Sequence, residues 1–293
     1  MSAQAATARV SRTQRPFSLN TSPSRLLVHA VLIAAGFLYM YPFLWVLAAS
    51  FKTPGEFFSS GLSLIPHQLM LDNYVYAWNA GNFGKYFFNT AIISVSVTLL
   101  VILFTSMAGY VLSKTAFPGK KWVIGGMLVL MFLPGGYTII PLFELVQKLG
   151  LLNSLLGIIV VQTAGGLIFN TLLFIGYFAT ISKEMEEAAR VDGASLPVIY
   201  WKIMLPMAKP MIATVGLFQF MINWNSFWIP LVFTIGNAGL RTLAVGMYAF
   251  VGENSTGWTY VSAGAVISIV PIMVVFFFLQ RYFIEAVAGA IKG

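Results

Sequence analysis

The chain contains no cysteine, which excludes disulfides and thiolate metal sites and leaves the redox compartment unreadable from cysteine usage. It is also poor in charge. Only 9% of its 293 residues are charged, against about 25% in soluble domains. So few charges cannot cover a water-exposed surface, so lipid must be the solvent for much of the protein. Histidine is scarce as well. His29 and His67 lie far apart, with no paired carboxylate and no HExxH context, and no metal site is expected. Gly119-Lys120 has Lys114, not glycine, five positions before Gly119. There is thus no phosphate-cradling loop, and the chain is not expected to hydrolyse ATP or to bind a cofactor by itself.

What is present is hydrophobic sequence, 58% of the residues. It falls into six stretches free of charge: Leu26–Phe51, Tyr86–Ser113, Trp122–Phe143, Leu149–Ser182, Pro210–Leu240 and Asn254–Gln280. About 20 apolar residues cross a bilayer as a helix, so each stretch is expected to cross once. Gly150, Asn153 and Ser154 place the start of the fourth helix near Leu155. The runs are apolar at both odd and even positions, which excludes the alternation of a membrane β-barrel. The expected fold is all-α, a single polytopic domain over residues 26–293 behind a polar, disordered cytoplasmic tail over residues 1–25.

The net charge of +8 does not point to nucleic acid, because the basic residues sit in short segments beside apolar spans. With the N-terminus inside, the inner segments hold Arg9, Arg12, Arg15, Arg25, Lys114, Lys120, Lys121, Lys183, Arg190, Lys202, Lys209, Arg281 and Lys292. The outer ones hold Lys52, Lys85, Lys148 and Arg241. That is 13 against 4, and both termini are expected in the cytoplasm. Met1–Ser24 lacks the apolar core and cleavage site of a secretory signal.

The largest inner loop, residues 183–209, reads as two short helices. Ser182 can cap the first, and Glu184, Glu186 and Glu187 favour its positive end. Gly193 stands where a left-handed C-cap is wanted. Ser195 can cap a second helix with Pro197 in its first turn, an apolar side made by Val198, Ile199 and Ile203, and an end at Pro206.

The same loop carries a family signature. Glu187-Ala188-Ala189, Gly193, Ile203, Leu205 and Pro206 follow the pattern EAA-x3-G-x9-I-x-LP, and Asp192-Gly193-Ala194 adds a DGA. Seven matched positions give a chance expectation on the order of one in a hundred million per start. The chain resembles the permease subunits of ABC importers, in particular the smaller, six-span subunit of the maltose-type carbohydrate permeases. The resemblance extends along most of the chain, through Asp72-Asn73-Tyr74, Phe117-Pro118-Gly119-Lys120, Leu149–Ser154 and the ending Gln280-Arg281-Tyr282 to Gly289–Gly293. Trp224-Asn225 also matches, but Ser226 stands where the family usually has Asp or Glu.

The resemblance implies a type I importer permease in a bacterial inner membrane, working with a second permease subunit, two ATPase subunits that bind ATP and magnesium, and an extracytoplasmic sugar-binding protein. It implies that the loop 183–209 couples to the ATPase, presenting Val198, Ile199 and Trp201, and that the tail Ala288–Gly293 reaches between the ATPase subunits. It also implies that the outer segment from Asn237 to Thr259, with Tyr248, Phe250 and Trp258, reaches the binding protein. The cargo expected from it is an oligosaccharide.

Polar residues inside the spans are the candidates for the path itself. Gln219, Asn223, Asn225 and Ser226 stand on the fifth stretch among Phe220, Trp224, Phe227 and Trp228. Gln219, Asn223, Asn225 and Trp228 are the expected lining, because amides and aromatic faces bind sugars, while helix–helix hydrogen bonding is the competing role. A secondary transporter or channel for small polar solutes is the alternative function. It would need ionisable groups within the spans for ion coupling, and no Asp, Glu, Lys or Arg is present there.

Overall fold

The computed structural model describes residues 23–133, 138–253 and 257–291, with side chains described through residue 280. All regular structure among them is helical. The tail expected over residues 1–25 lies outside the described residues except for its last three, which begin the first helix.

Helix α1 spans Pro23–Ala49 and carries Pro42 inside it. Residues up to Trp45 form a unit of their own, and the rest of the chain a second. In that second unit, α2 (Pro54–Ser59) starts at Thr53, whose side chain accepts from the Glu56 N–H, and α3 spans Asp72–Ala80. Just before α2, Lys52 is fully buried, its Nζ donating to Ser60 Oγ at 2.8 Å and to the Ser63 carbonyl at 2.6 Å. Asn73 closes the same knot by donating to the carbonyls of Ser50 and Lys52.

Four long helices follow from the apolar runs. With α1 they are α4 (Phe83–Lys114), α7 (Leu155–Thr180) and α13 (Trp258–Ile291, with Pro271 inside). Helix α7 begins where the sequence places it, with Ser154 Oγ accepting from the Leu156 N–H. The two remaining stretches are not continuous helices. The third becomes α5 (Lys120–Leu130) and α6 (Ile139–Lys148), on either side of residues that are not described. The fifth becomes α10 (Lys209–Trp224) and α11 (Trp228–Phe233). The break falls at Asn225 and Ser226, where Asn225 Nδ2 donates back to the Met221 carbonyl and offers the backbone a local alternative to the next turn. At 16 residues, α10 is roughly 24 Å long, short of a bilayer core. Among the described residues there are thus four helices long and apolar enough to cross a membrane. A fifth is formed if α10 is counted with α9 (Leu196–Met207), which meets it at 74°. Short helices α8 (Lys183–Val191) and α12 (Leu243–Glu253) complete the order.

The core lies where α4 packs along α7, and α10 fills the groove beside them. The α4–α7 crossing is close because Gly109 faces Phe174: a Cβ on Gly109 would sit 2.4 Å from the Phe174 Cβ. Small residues allow such approach in lipid, where packing contacts rather than water exclusion drive association. Ile93, Val97, Val101, Phe174, Phe178 and Val215 are buried along this seam. A second apolar cluster joins Phe83, Tyr86, Phe220, Trp224, Leu243 and Phe250 at one end.

Candidate functional site

The elbow 183–207 sits at the shared end of α4 and α7, where Lys114 Nζ donates to the Ile181 carbonyl. Ser182 caps α8 by accepting from the Glu184 N–H at 3.2 Å. The helix closes on Gly193 at φ +80. The Ala194 N–H donates to the Ala189 carbonyl and the Gly193 N–H to that of Arg190, the paired bonds of a Schellman cap. A Cβ at Gly193 would meet no atom within 4 Å, so the glycine is required by backbone angle and not by space.

Beyond the turn, α9 runs from Leu196 through a wide π turn at Tyr200–Met204 to Met207. Ser195 occupies the cap position but makes no side-chain cap bond. Pro206 does not end the helix as the sequence suggests; the chain stays helical to Met207 and bends at Ala208 into α10. Proline lacks an N–H and crowds the carbonyl four residues back, and the wide turn just before it absorbs both effects.

Each arm is tied to the membrane helices. From α8, Glu186 is buried, and its Oε1 accepts from Tyr110 Oη at 3.3 Å and from Arg190 Nη2 at 2.7 Å. That hydrogen bond and the carboxylate charge raise the Arg190 pKa above its ordinary value. From α9, Tyr200 Oη and Ser106 Oγ are 2.8 Å apart, and Tyr177 Oη donates to the Met207 carbonyl at 3.0 Å.

The signature residues divide between the two sides of the elbow. Ala189 is buried, Ala194, Ile203 and Leu205 are partly buried, and Glu187, Ala188, Asp192, Gly193 and Pro206 are exposed. Ile199 is fully buried against the core and is not presented outward, contrary to the expectation from the resemblance; Val198 and Trp201 are exposed. Val191, 88% exposed, joins them on the outer side. Glu186 is the residue that sequence reading missed as an anchor. Its position beside the signature gives no sign of burial, since the partner Tyr110 lies on another helix.

The candidate path residues separate too. Gln219 and Asn223 are buried and line a depression of about 360 Å³ between α7 and α10. Asn225 is exposed outside it, and so is Trp228. Gln162 and Asn170 on α7, and Ser226, line the same depression. The sequence signal for the first two was available, since both are amides in an apolar run. Gln162 Nε2 donates to Ser226 Oγ at 2.7 Å. Phe169, about half exposed, stands at the same wall.

The outer segment is more ordered than its Gly and Asn content suggests. Residues Leu243–Glu253 form α12. Asn89 Nδ2 donates to the carbonyls of Gly239 and Arg241, and Thr90 Oγ1 accepts from the Leu243 N–H, fixing the segment to α4. Phe250 is 2% exposed and packs edge-on to Phe83 at 5.2 Å, so it offers no surface to a partner. Tyr248 is 69% exposed and Trp258 42%. Residues 254–256 lie outside the described residues, as do residues 292–293 of the tail, whose helix is described to Ile291.

Comparison with known proteins agrees with this architecture. Residues 107–289 match the family described as binding-protein-dependent transport system inner membrane component. The chain is 35% identical over 265 residues to the diacetylchitobiose uptake system permease protein of Streptomyces coelicolor, covering 90% of this chain and 86% of that protein. It is 34% identical over 261 residues to the arabinooligosaccharides transport system permease protein of Halalkalibacterium halodurans, covering 88% and 92%. Among solved structures, a bacterial ABC transporter involved in the import of the acidic polysaccharide alginate aligns with TM-score 0.75 at 27% identity, over 90% of this chain and 99% of that one. By this match, and by its apolar helices, the chain is a multi-pass membrane protein, a transport component rather than an enzyme, and it belongs to the binding-protein-dependent transport system inner membrane component family.

Proposed function

We propose that the chain is the permease half of an ATP-driven oligosaccharide importer, paired with a second, related permease in a bacterial inner membrane. Two ATPase subunits bind ATP and magnesium below it, and an extracytoplasmic binding protein delivers the sugar above. The similar proteins point to saccharide cargo, two of them by names that specify oligosaccharides. Both termini lie in the cytoplasm and the chain crosses six times, α5–α6 and α10–α11 each making one broken crossing. Lipid surrounds the assembly.

The observation that carries the coupling role is the elbow. Its inner side is bonded to α4 and α7, while Val191, Val198 and Trp201 remain exposed beside Glu187 and Asp192. Large apolar groups left out on a charged loop mark a contact surface. The ATPase docks there, and the tail Ala288–Gly293 reaches between the two ATPase subunits. Gln219 and Asn223 line the sugar path, and Tyr248 and Trp258 touch the binding protein.

The test is purification of the permease pair from membranes together with uptake in vesicles. The ATPase should be recovered in stoichiometric amount, and loaded binding protein should stimulate hydrolysis. Single-cysteine labelling adds the topology, since the chain has no cysteine of its own. A permease that purifies without ATPase yet transports sugar, or position 195 labelled by an impermeant reagent from outside intact cells, overturns the reading.

A further inference from the structure

The connection between α1 and α4 is built the wrong way round for a loop in water. Residues 57–71 contain no Asp, Glu, Lys or Arg. The two charged residues just before them, Lys52 and Glu56, are both buried. Lys52 Nζ is held by Ser60 Oγ and the Ser63 carbonyl, and Glu56 Oε1 accepts from the His67 N–H at 2.7 Å. The large apolar side chains go the other way: Phe58, Leu62, Ile65, Leu69 and Leu71 are between 64% and 78% exposed. Burying a charge costs free energy even when it is hydrogen-bonded, and leaving apolar side chains in water adds to that cost. A segment surrounded by water would favour the reverse arrangement. This one fits a neighbour of low dielectric constant.

Its position says which neighbour. Helix α3 packs on α13, where the Tyr76 and Tyr260 rings are 4.2 Å apart, and on the start of α4, where Trp78 and Phe87 are 6.2 Å apart; α2 also packs on α13. The charged elbow stands at the opposite end of α4, which at 32 residues is roughly 48 Å long. A bilayer with its headgroups is about 40–45 Å thick, so the elbow at one water interface puts the segment at the other. Tyr76 and Trp78, each 41% exposed, stand where amphipathic rings collect at headgroup level. An exposed apolar stripe of Phe88, Ile92, Val95 and Leu99 runs down α4 from the same end, so the outer face of the segment adjoins surface that already suits lipid.

We infer that residues 57–71 rest in the bilayer interface at the end of the bundle opposite the elbow, with Phe58, Leu62, Ile65 and Leu69 among lipid acyl chains. Lys52 and Glu56 turn inward because their outside is hydrocarbon, and their hydrogen bonds shape the segment around that constraint. A soluble binding protein is a poor occupant, since each departure would return five large apolar side chains to water. A second permease subunit is a poor one too: helices that associate in lipid approach through small residues, and the outward residues here are all large. The inference needs only a membrane-spanning chain and is independent of the cargo and coupling assignments.

The experiment uses the assembled transporter in nanodiscs of phosphatidylethanolamine and phosphatidylglycerol. The chain has no cysteine, so Phe58→Cys, Leu62→Cys, Ile65→Cys and Leu69→Cys each carry one spin label, with partner subunits cleared of cysteine. Tyr248→Cys, measured without binding protein, is the water reference. Collisions with oxygen, which concentrates among acyl chains, are compared with collisions with a water-soluble nickel chelate. At all four positions the oxygen-to-nickel ratio should exceed that of Tyr248→Cys by at least roughly fivefold, as for side chains buried at the acyl boundary. Adding loaded binding protein should leave the four ratios unchanged. Nickel access equal to that of Tyr248→Cys places the segment in water and overturns the inference. Immobile labels shielded from both reagents assign the surface to the second permease, and ratios that change on adding binding protein assign it to that protein; either result also overturns it. ATPase recovery with each variant reports assembly. Absent ATPase or absent uptake in wild type would count against the permease reading and leave the depth measurement standing.

Discussion

The elbow 183–207 and the outer segment 237–253 are both connections rich in chemistry, and each buries some large apolar groups and exposes others, but they are anchored differently. The elbow buries a carboxylate, Glu186, and leaves Val191 and Trp201 outside. The outer segment buries one aromatic, Phe250, leaves Tyr248 outside, and has its backbone held by amide and hydroxyl groups of α4. The first uses a buried carboxylate to hold an apolar surface outward; the second uses uncharged hydrogen bonds together with an aromatic contact to hold itself down. An aromatic residue in a loop therefore says little about partners until its burial is known.

The largest effect that breaks this contrast is expected at Gly193. Gly193→Asp places a side chain at φ +80, at a cost of about 1 kcal/mol or more, and adds a carboxylate beside Asp192. Because the space around the position is open, the cost falls on the angle of α9 and not on packing. Expression should be normal while ATPase recovery and vesicle uptake fall at least tenfold; full recovery of both removes the elbow from the coupling role. Gly193→Ala should be milder.

Phe250→Ala should destabilise the folded protein by about 3 kcal/mol by emptying its place against Phe83, read as a lowered unfolding temperature in detergent. Tyr248→Ala should leave that temperature unchanged and reduce stimulation by the loaded binding protein severalfold. If the two effects are exchanged, the division of the outer segment into buried and exposed aromatics is wrong.

The adjacent acids of the elbow sharpen the contrast within a single turn. Glu186→Ala strips a partner from Tyr110 in a buried setting and should cost about 2 kcal/mol of stability. Glu187→Ala, on the exposed side, should stay within about 0.5 kcal/mol of the parent and lower ATPase recovery alone. Equal unfolding temperatures for the two variants would contradict the assignment of Glu186 as the anchor.

What was legible in the sequence was what short-range chemistry decides. Ser154 and Ser182 start helices by reaching their own backbone, and Gly193 ends one because its φ is positive. The helical class follows from apolar runs that need internal hydrogen bonds. Apolarity alone does not report continuity, so the breaks beyond Trp224 and Leu130 were read as uninterrupted spans. Ile199 and Phe250 were read as surface because their burial depends on residues far along the chain, such as Phe83 for Phe250. Gln162 belonged to the same class of signal as Gln219, and only the pairing of α7 with α10 brings them to one wall.

The hydroxyl pair Ser106–Tyr200, the Tyr177 bond to Met207 and the Glu186–Tyr110 contact together make the elbow a bracket bolted at both ends to the same beam. With Gly109 seated against Phe174, the α4 and α7 backbones are held close at that crossing. A push on α8 is therefore expected to reach α4 and α7 directly, and, through the 74° bend, α10 with its buried Gln219 and Asn223.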